Sequence, residues 1–585
     1  ITFGGFYDDA LEFLKLERFQ IVASINAATT VGRHQLSTRF TAVVRICVVD
    51  YPETSELVSV FDCFLAVVLK NVHGCDPKWH QSSDRERLAN AIVEIYQKTR
   101  EKFTVDDRRH YLFTPRDMTL WVKNLCRYNL ESENLLEVVG HEACRVFRDR
   151  LVGGESCARF DQQLSGILRT HFRHTLAPLD YYFTSLTLGR GGSTTVTAKK
   201  GAAESKESSG DAMNAASVKE IMGGSLSRMS GEEFKKLVAQ GIVYYEREER
   251  DLNQLLFHEV LEHIAHIDRV ISSNAGHLLL VGKSGVGRRN AVTIATYMLG
   301  YQFFTPSITR DYGPKQFSAD VKGALETAGM KGEHVVLLVE DFQITKESIL
   351  EMINSLLSSG EVPGMYTHEE LEPLMSTMRK IMSEVGTSKT PYEFFVSRVK
   401  KYLHVVLCMD PGHPRFLYRC ESNPALYAQC TVMWIGEWRS NSLKEIPLLM
   451  DGIRSIITGK EGEDAENDPF SAIQAAPKEK AESKSESKGS KAEKKSSRGE
   501  SKRSESMEAA EPKNFGEDSE AEVNANGQGE ELIDMVMAIH KSCNPLNATP
   551  KDYISFLHTW HALFTMKKKE LLRDLGHLEA GLFKL

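Results

Sequence analysis

The stretch LLLVGKSGVGRRN, residues 278–290, constrains the fold more than any other part of the chain. An apolar run leads into Gly282, Gly285 and Gly287, and a helix-forming segment follows. Strand, glycine turn and helix in that order aim backbone N–H groups and a helix N-terminus at one point, which cradles phosphate. The motif asks for Lys and then Ser or Thr after its last glycine. Here those positions hold Arg288 and Arg289. The loop is thus a working nucleotide engine, a loop that only holds nucleotide, or a coincidence of glycines.

The downstream pattern narrows the choice. HVVLLVED ends in Glu340 and Asp341, as a strand carrying metal-holding and water-positioning carboxylates should. A further apolar strand, HVVLCMD, ends in Asp410, where a polar sensor of the γ-phosphate would sit. HLLLVG, YQFFTP, HVVLLVE and HVVLCMD alternate with helical segments such as LLFHEVLEHIAHIDRVI and SILEMINSLLSS. Such alternation reads as an α/β fold with a covered parallel sheet. A plain flavodoxin-like sheet is the bland alternative.

With 585 residues the chain has room for several domains, and its 41% hydrophobic content fills real cores. A net charge of −8 argues for neither nucleic acid nor an anionic membrane as partner. The ten cysteines are scattered without a CxxC pair, which suits reduced thiols in the cytosol. No apolar run approaches the roughly 20 residues that span a bilayer. The chain opens on ITFGGFYDD without an initiator Met, and we expect an internal segment of a longer protein.

Residues 189–239 and 459–530 read as disordered inserts, the second holding the Lys/Glu/Ser tract KEKAESKSESKGSKAEKKSSRGESKRSES. Neither has enough apolar residues to offset its ordering entropy. Before the first insert, FQIVASINA and VVRICVV predict buried strands, and LANAIVEIYQKTREKF and RDMTLWVKNLCRY predict helices. At the other end, Tyr553, Leu557, Trp560 and Phe564 are spaced 4, 3 and 4, and Leu571, Leu575, Leu578, Leu582 and Leu585 continue in register. This heptad seam predicts a rod of about 50 Å leaving its domain as a coiled coil. HEVLEHIAH invites a zinc reading, but His258 and His263 are five apart and splay around a helix, so an amphipathic helix is the better reading.

Several longer strings resemble dynein heavy chains. GFYDD, IVASINAATTVGRHQLSTRF and YLFTPRDMTLWV are similar to the end of the third AAA+ module of that family. YYEREERDLNQLLFHEVLEHIAHIDRV, GKSGVGRRN and EMINSLLSSGEVPGMYTHEELEPL are similar to the fourth module, and TPKDYISFLHTWHALFTMKKKELL to its lid and the first stalk helix. The GRR loop, the Glu–Asp order and CESNPALYAQC further resemble the intraflagellar-transport branch, cytoplasmic dynein 2. The resemblance implies AAA+ P-loop NTPase modules, parallel sheets with helical lids, leading into a coiled-coil stalk. It divides the chain into the end of the third large subdomain (1–50), its lid (51–188), an insert (189–239), the fourth large subdomain (240–458), a second insert (459–530), the fourth lid (531–552) and the stalk root (553–585).

In the third module the resemblance puts sensors at Asn26 and Arg116 and, in LSTRF, an arginine finger for the neighbouring site at Arg39. In the fourth it makes Gly282, Gly285, Gly287, Arg288, Arg289, Glu340, Asp341, Asp410 and Lys551 a degenerate nucleotide site. Arg288 keeps the positive charge of the usual Lys but is bulkier and planar. Arg289 replaces the hydroxyl that holds Mg²⁺, so the resemblance implies a site that binds ATP or ADP with its metal coordination impaired. Glu340 and Asp341 reverse the usual order, which draws the water-positioning carboxylate back. Asp410 stands for Asn and would repel a γ-phosphate, and Lys551 stands for Arg, losing the bidentate fork. The position that should hold the fourth module's own arginine finger falls on Ala428 and Gln429, with Arg419 a weak substitute.

The expected function follows from the resemblance: a segment of an ATP-driven, minus-end-directed microtubule motor serving retrograde intraflagellar transport in cilia. Its own complete site should hold nucleotide without efficient hydrolysis and relay ring closure to the stalk. Implied partners are the other AAA+ modules, the returning stalk helix, the microtubule through the stalk tip, and the dynein intermediate, light-intermediate and light chains through the tail. The rivals are a freestanding AAA+ remodelling ATPase, which should keep an intact site, and a scaffold that binds no nucleotide.

Overall fold

The computed structural model describes residues 4–7, 11–15, 18, 20, 22–25, 36–176, 181–186, 222–386, 389–436, 438–458, 531–543 and 548–583. Near its start, β1 (Gly5–Tyr7) pairs antiparallel with β2 (Phe13–Lys15). The expected buried strand VVRICVV is not one: Val43, Val48 and Val49 are more than three-quarters exposed and the segment carries no ladder. A strand needs a neighbour for its N–H and C=O groups, and among the described residues none lies beside it. Of FQIVASINA, only residues 20 and 22–25 are described, and they form no strand.

A helical domain follows, built from Thr54–Asn71, Ser82–Lys102, Pro115–Asn124, Leu135–Val146 and Gly154–Phe172. Its helix starts are written locally. Glu53 and Thr114 form capping boxes with Glu56 and Asp117, and Asn134 accepts from the Leu136 amide. Phe61, Leu65 and Leu69 recur every turn on the first helix and bury against the second helix's Leu88, Ile92 and Tyr96. Trp121 is wholly buried because its Nε1–H finds the Val139 carbonyl at 3.0 Å.

β3 (Tyr181–Thr184) pairs antiparallel with β4 (Ser227–Ser230), which runs into the helix Gly231–Glu248. This corrects the insert expected over 189–239, since residues 227–239 are strand and helix. The physical reason is the capping box of Ser230 and Glu233, followed by Phe234, Leu237, Val238 and Ile242 on one buried face. The helix His258–Ile271 then leads to the main sheet.

That sheet has five strands, all parallel, in the order β6 (Gln302–Phe304), β7 (Val335–Glu340), β8 (Leu403–Met409), β5 (His277–Val281), β9 (Cys430–Trp434). Strand alternation divides two cores. Leu278, Leu280, Val336, Leu338 and Val406 face one, and Leu279, Val281, Leu337, Val339 and Val405 face the other. Helices cover both faces, so the strands read as continuous apolar runs. β8, far along the chain, sits between β5 and β7, which sets the Asp410 turn between the glycine loop and the Glu340–Asp341 turn.

The last helix, Pro550–Leu582, is 33 residues long and starts on a Thr549–Asp552 capping box. Tyr553 and Leu557 are buried in the sheet domain, with Tyr553 Oη donating to the Leu443 carbonyl at 2.9 Å, and Trp560 is half-buried. The rod therefore docks one or two turns past the expected lid boundary at 552. From Leu563 onward the seam residues Leu571, Leu575, Leu578 and Leu582 are exposed; Leu585 lies outside the described residues.

The helical and sheet domains meet at a buried polar seam. Arg269 donates to Glu142 through Nε at 2.8 Å and Nη2 at 2.5 Å, and Tyr128 Oη donates to the same carboxylate. Arg127 crosses the other way to the carbonyls of Gly224 (2.9 Å) and Arg269 (2.6 Å) and to Ser272 Oγ (2.7 Å). Asp268 accepts from Thr184 Oγ1 and the Ser185 amide, each at 2.7 Å.

Candidate functional site

The glycine loop emerges from β5 at the C-terminal edge of the sheet, where ligands of open parallel sheets bind. Gly285 and Gly287 have φ of +87° and +86°, in the left-handed region that costs a side chain strain. A Cβ on Gly285 would come within 2.7 Å of the Lys551 Cβ, so the loop is pressed against the start of the last helix. Arg288 opens the helix Arg288–Met298, whose first amides point back toward the loop.

Three carboxylates and three arginines converge here, joined by two ion pairs and by bonds to the backbone. Arg289 Nη1 donates to Glu340 Oε2 at 2.8 Å. Arg288 Nη1 donates to the Met409 carbonyl at 2.7 Å, tying the helix start to the end of β8. Asp410 accepts from the Ser284 amide at 3.3 Å and the Gly412 amide at 2.8 Å. Its own amide donates to Asp341, which also faces Arg419 Nη1 at 3.5 Å. Burial raises the Asp341 carboxyl above its ordinary range, against the opposing pull of that amide and of Arg419 and Arg288.

The structure thus brings Gly282, Gly285, Gly287, Arg288, Arg289, Glu340, Asp341, Asp410 and Lys551 to one edge of the sheet. Of the residues assigned to the preceding module, Asn26 lies outside the described residues. Arg39 sits exposed on the short helix Thr38–Thr41. Arg116 is far in sequence from the glycine loop but touches the sheet domain, donating from Nη1 to the Ala428 carbonyl at 3.1 Å. Next to it the His110 ring stacks on Trp434 at 4.6 Å. Ala428 and Gln429 are both exposed at this contact. Arg419 is buried and turned into its own domain toward Asp341 and Glu347.

Sequence reasoning missed the roles of Arg419, Gln343 and Ser284. Gln343 Oε1 accepts from the Glu340 amide at 2.7 Å while its Nε2 reaches the Pro306 carbonyl at 2.8 Å, fixing the turn after β7. The Glu340–Gln343 spacing of a capping box was a readable signal. Arg419, 78 residues from its carboxylate, offered none.

Mg²⁺ in a phosphate loop needs a hydroxyl oxygen and a carboxylate. At this edge the hydroxyl position is Arg289, whose guanidinium already holds Glu340. The donor set does not fit the metal.

The matched families accord with this geometry. Residues 252–475 match the family described as "P-loop containing dynein motor region D4", and residues 64–156 match "Dynein heavy chain, ATPase lid domain". The whole chain aligns with cytoplasmic dynein 2 heavy chain 1 of Tripneustes gratilla at 39% identity and of Homo sapiens at 37%, in each case over 12% of the relative's length. The cytoplasmic dynein heavy chain of Dictyostelium discoideum is 30% identical over 76% of this chain and 9% of its own length.

Proposed function

The chain belongs to the dynein heavy chain family and spans about an eighth of the length of the relatives it matches, and we propose that it is a relay segment of a microtubule motor. In this reading the sheet domain is a nucleotide-holding module without efficient hydrolysis, and the helix Pro550–Leu582 is the root of the stalk. The printed names of the most similar relatives support assignment to the dynein 2 branch, and so to a cytoskeletal motor of retrograde intraflagellar transport in cilia. The microtubule, the remaining modules, the returning stalk helix and the dynein intermediate, light-intermediate and light chains are the partners this assignment brings.

One observation carries the non-hydrolytic reading. Asp341, at the water-positioning place, accepts from the Asp410 amide and faces Arg419, so its carboxylate is committed inside the protein. A general base must instead reach the attacking water. The loop's glycines and cations support binding, and contact of Lys551 and Thr549 with Gly285 supports coupling to the rod. Titrating the full chain with fluorescent ADP and ATP tests this. We expect saturable binding that Arg288→Ala weakens at least tenfold, without phosphate release above background. Phosphate release that Arg288→Ala abolishes would overturn the non-hydrolytic reading, and absence of binding would favour the scaffold.

A further inference from the structure

The sheet-edge site differs from a metal-dependent one in a specific way: its fixed positive charge is already in place. Resting on the nucleotide-holding reading above, we propose that this loop takes a nucleoside diphosphate without a divalent cation, with the Arg289 guanidinium standing in for the ion. In a metal-dependent site a carboxylate at the end of the second strand holds the cation beside the phosphates. Here the carboxylate at that strand end, Glu340 Oε2, accepts from Arg289 Nη1 at 2.8 Å, so the cation it holds is a side chain.

Arg289 stays attached to the helix that begins at the loop, so its charge is fixed relative to the phosphate-facing amides. It is about one-third exposed, and its Nε–H is buried without an acceptor. A buried donor in that state is unfavourable, and a turn of the guanidinium that brings it to an anion oxygen would relieve the cost. Arg288 spends one donor on the Met409 carbonyl and keeps the rest of its fork. Two fixed guanidinium groups, bidentate by geometry, suit a pyrophosphate group.

The same edge sets the length of the ligand. The Asp410 carboxylate is held at the loop by the Ser284 and Gly412 amides. A third phosphate extending toward that amide would meet a carboxylate already bound there, and like charges at such range repel. A diphosphate stops short of it.

The experiment is a fluorescent-ADP titration of the full chain in excess Mg²⁺ and again in excess EDTA. We expect dissociation constants that agree within about threefold, and ATP binding more weakly than ADP. Arg289→Thr, which restores a hydroxyl and frees Glu340, should bind at least tenfold more weakly in EDTA than in Mg²⁺. Wild-type binding weakened more than threefold by EDTA would overturn the metal-free site while leaving the nucleotide-holding reading intact. So would ATP binding as tightly as ADP, or a Mn²⁺ ion bound by the wild-type ADP complex in a paramagnetic titration, a readout that needs no variant. Loss of binding in both buffers would sink the nucleotide-holding reading itself and this inference with it.

Discussion

The seam between the two domains and the glycine loop at the sheet edge both rest on an arginine–carboxylate pair, and solvent treats the two pairs differently. Arg269 and Glu142 are 6% and 0% exposed, and every oxygen of that carboxylate has a donor. Arg289 and Glu340 are 34% and 17% exposed, and Arg289 keeps an unanswered N–H. Burial raises the Glu142 carboxyl, but the Arg269 charge and its hydrogen bonds outweigh it and hold the group down to about 2. The seam pair is a finished structural joint, in which either partner alone would be a stranded charge. The loop pair is an open one, able to exchange its partner for an incoming anion.

The largest expected effect follows from that contrast. Arg269→Met strands Glu142 in a dry interface and should lower stability by about 3–5 kcal/mol. Arg289→Met leaves Glu340 partly hydrated and should cost no more than about 1 kcal/mol. Urea unfolding of the full chain at neutral pH reads both. Similar shifts for the two variants would dissolve the distinction between joint and open site.

How much of each region the sequence revealed follows the same line. The loop was legible because its elements are local: three glycines, a strand before, a helix after, and carboxylates closing two apolar runs. The order of the strands was not, because β8 takes its central place only through pairing with distant segments. The seam was invisible, since Glu142 and Arg269 are 127 residues apart and each looks like an ordinary charge on a helix. The strand expected at VVRICVV failed for the complementary reason. Its apolar run states a preference for burial, while strand formation needs a partner that the segment does not itself supply. The helix Gly231–Glu248 was legible from Ser230 and Glu233 but was absorbed into a polar stretch by composition.

A second test moves to the opposite end of the strands, where buried polar groups are again finished. His404, wholly buried in β8, lies with its Nδ1 3.0 Å from the Gly276 carbonyl, so that nitrogen donates and its Nε2 accepts from His334 Nδ1 at 2.9 Å. Burial, with a smaller push from neighbouring histidines, lowers its pKa to about 3. The unfolded chain binds a proton near pH 6.5 and the folded chain does not until far lower. Stability from this group is therefore complete above pH 6.5 and is lost as pH falls toward 3. At pH 5 the loss amounts to about 2 kcal/mol, one and a half pH steps at about 1.4 kcal/mol each. His404→Gln, which keeps a donor and an acceptor, should flatten the slope of unfolding free energy between pH 7 and pH 5. An unchanged slope would remove His404 from the account.

The smallest effect lies where the loop meets the rod, and it asks whether the open site is mechanically connected to anything. Thr549 caps the helix Pro550–Leu582: its amide donates to Asp552 Oδ2 at 2.8 Å, and the Asp552 amide returns to Thr549 Oγ1 at 3.4 Å. The same Oγ1 lies 3.4 Å from where a Cβ on Gly285 would stand. Losing an exposed cap of this kind costs about 1 kcal/mol, or roughly a fivefold rise in local opening. Thr549→Ala should therefore speed amide exchange over residues 550–554 by about that factor, while Thr549→Ser leaves it nearly unchanged. Saturating ADP should slow the same amides in the wild type if the loop steadies the helix start. Exchange that responds to the cap but not to ADP would leave the rod anchored by the core packing of Tyr553, Leu557 and Trp560, with the glycine loop a neighbour of the helix and no part of its support.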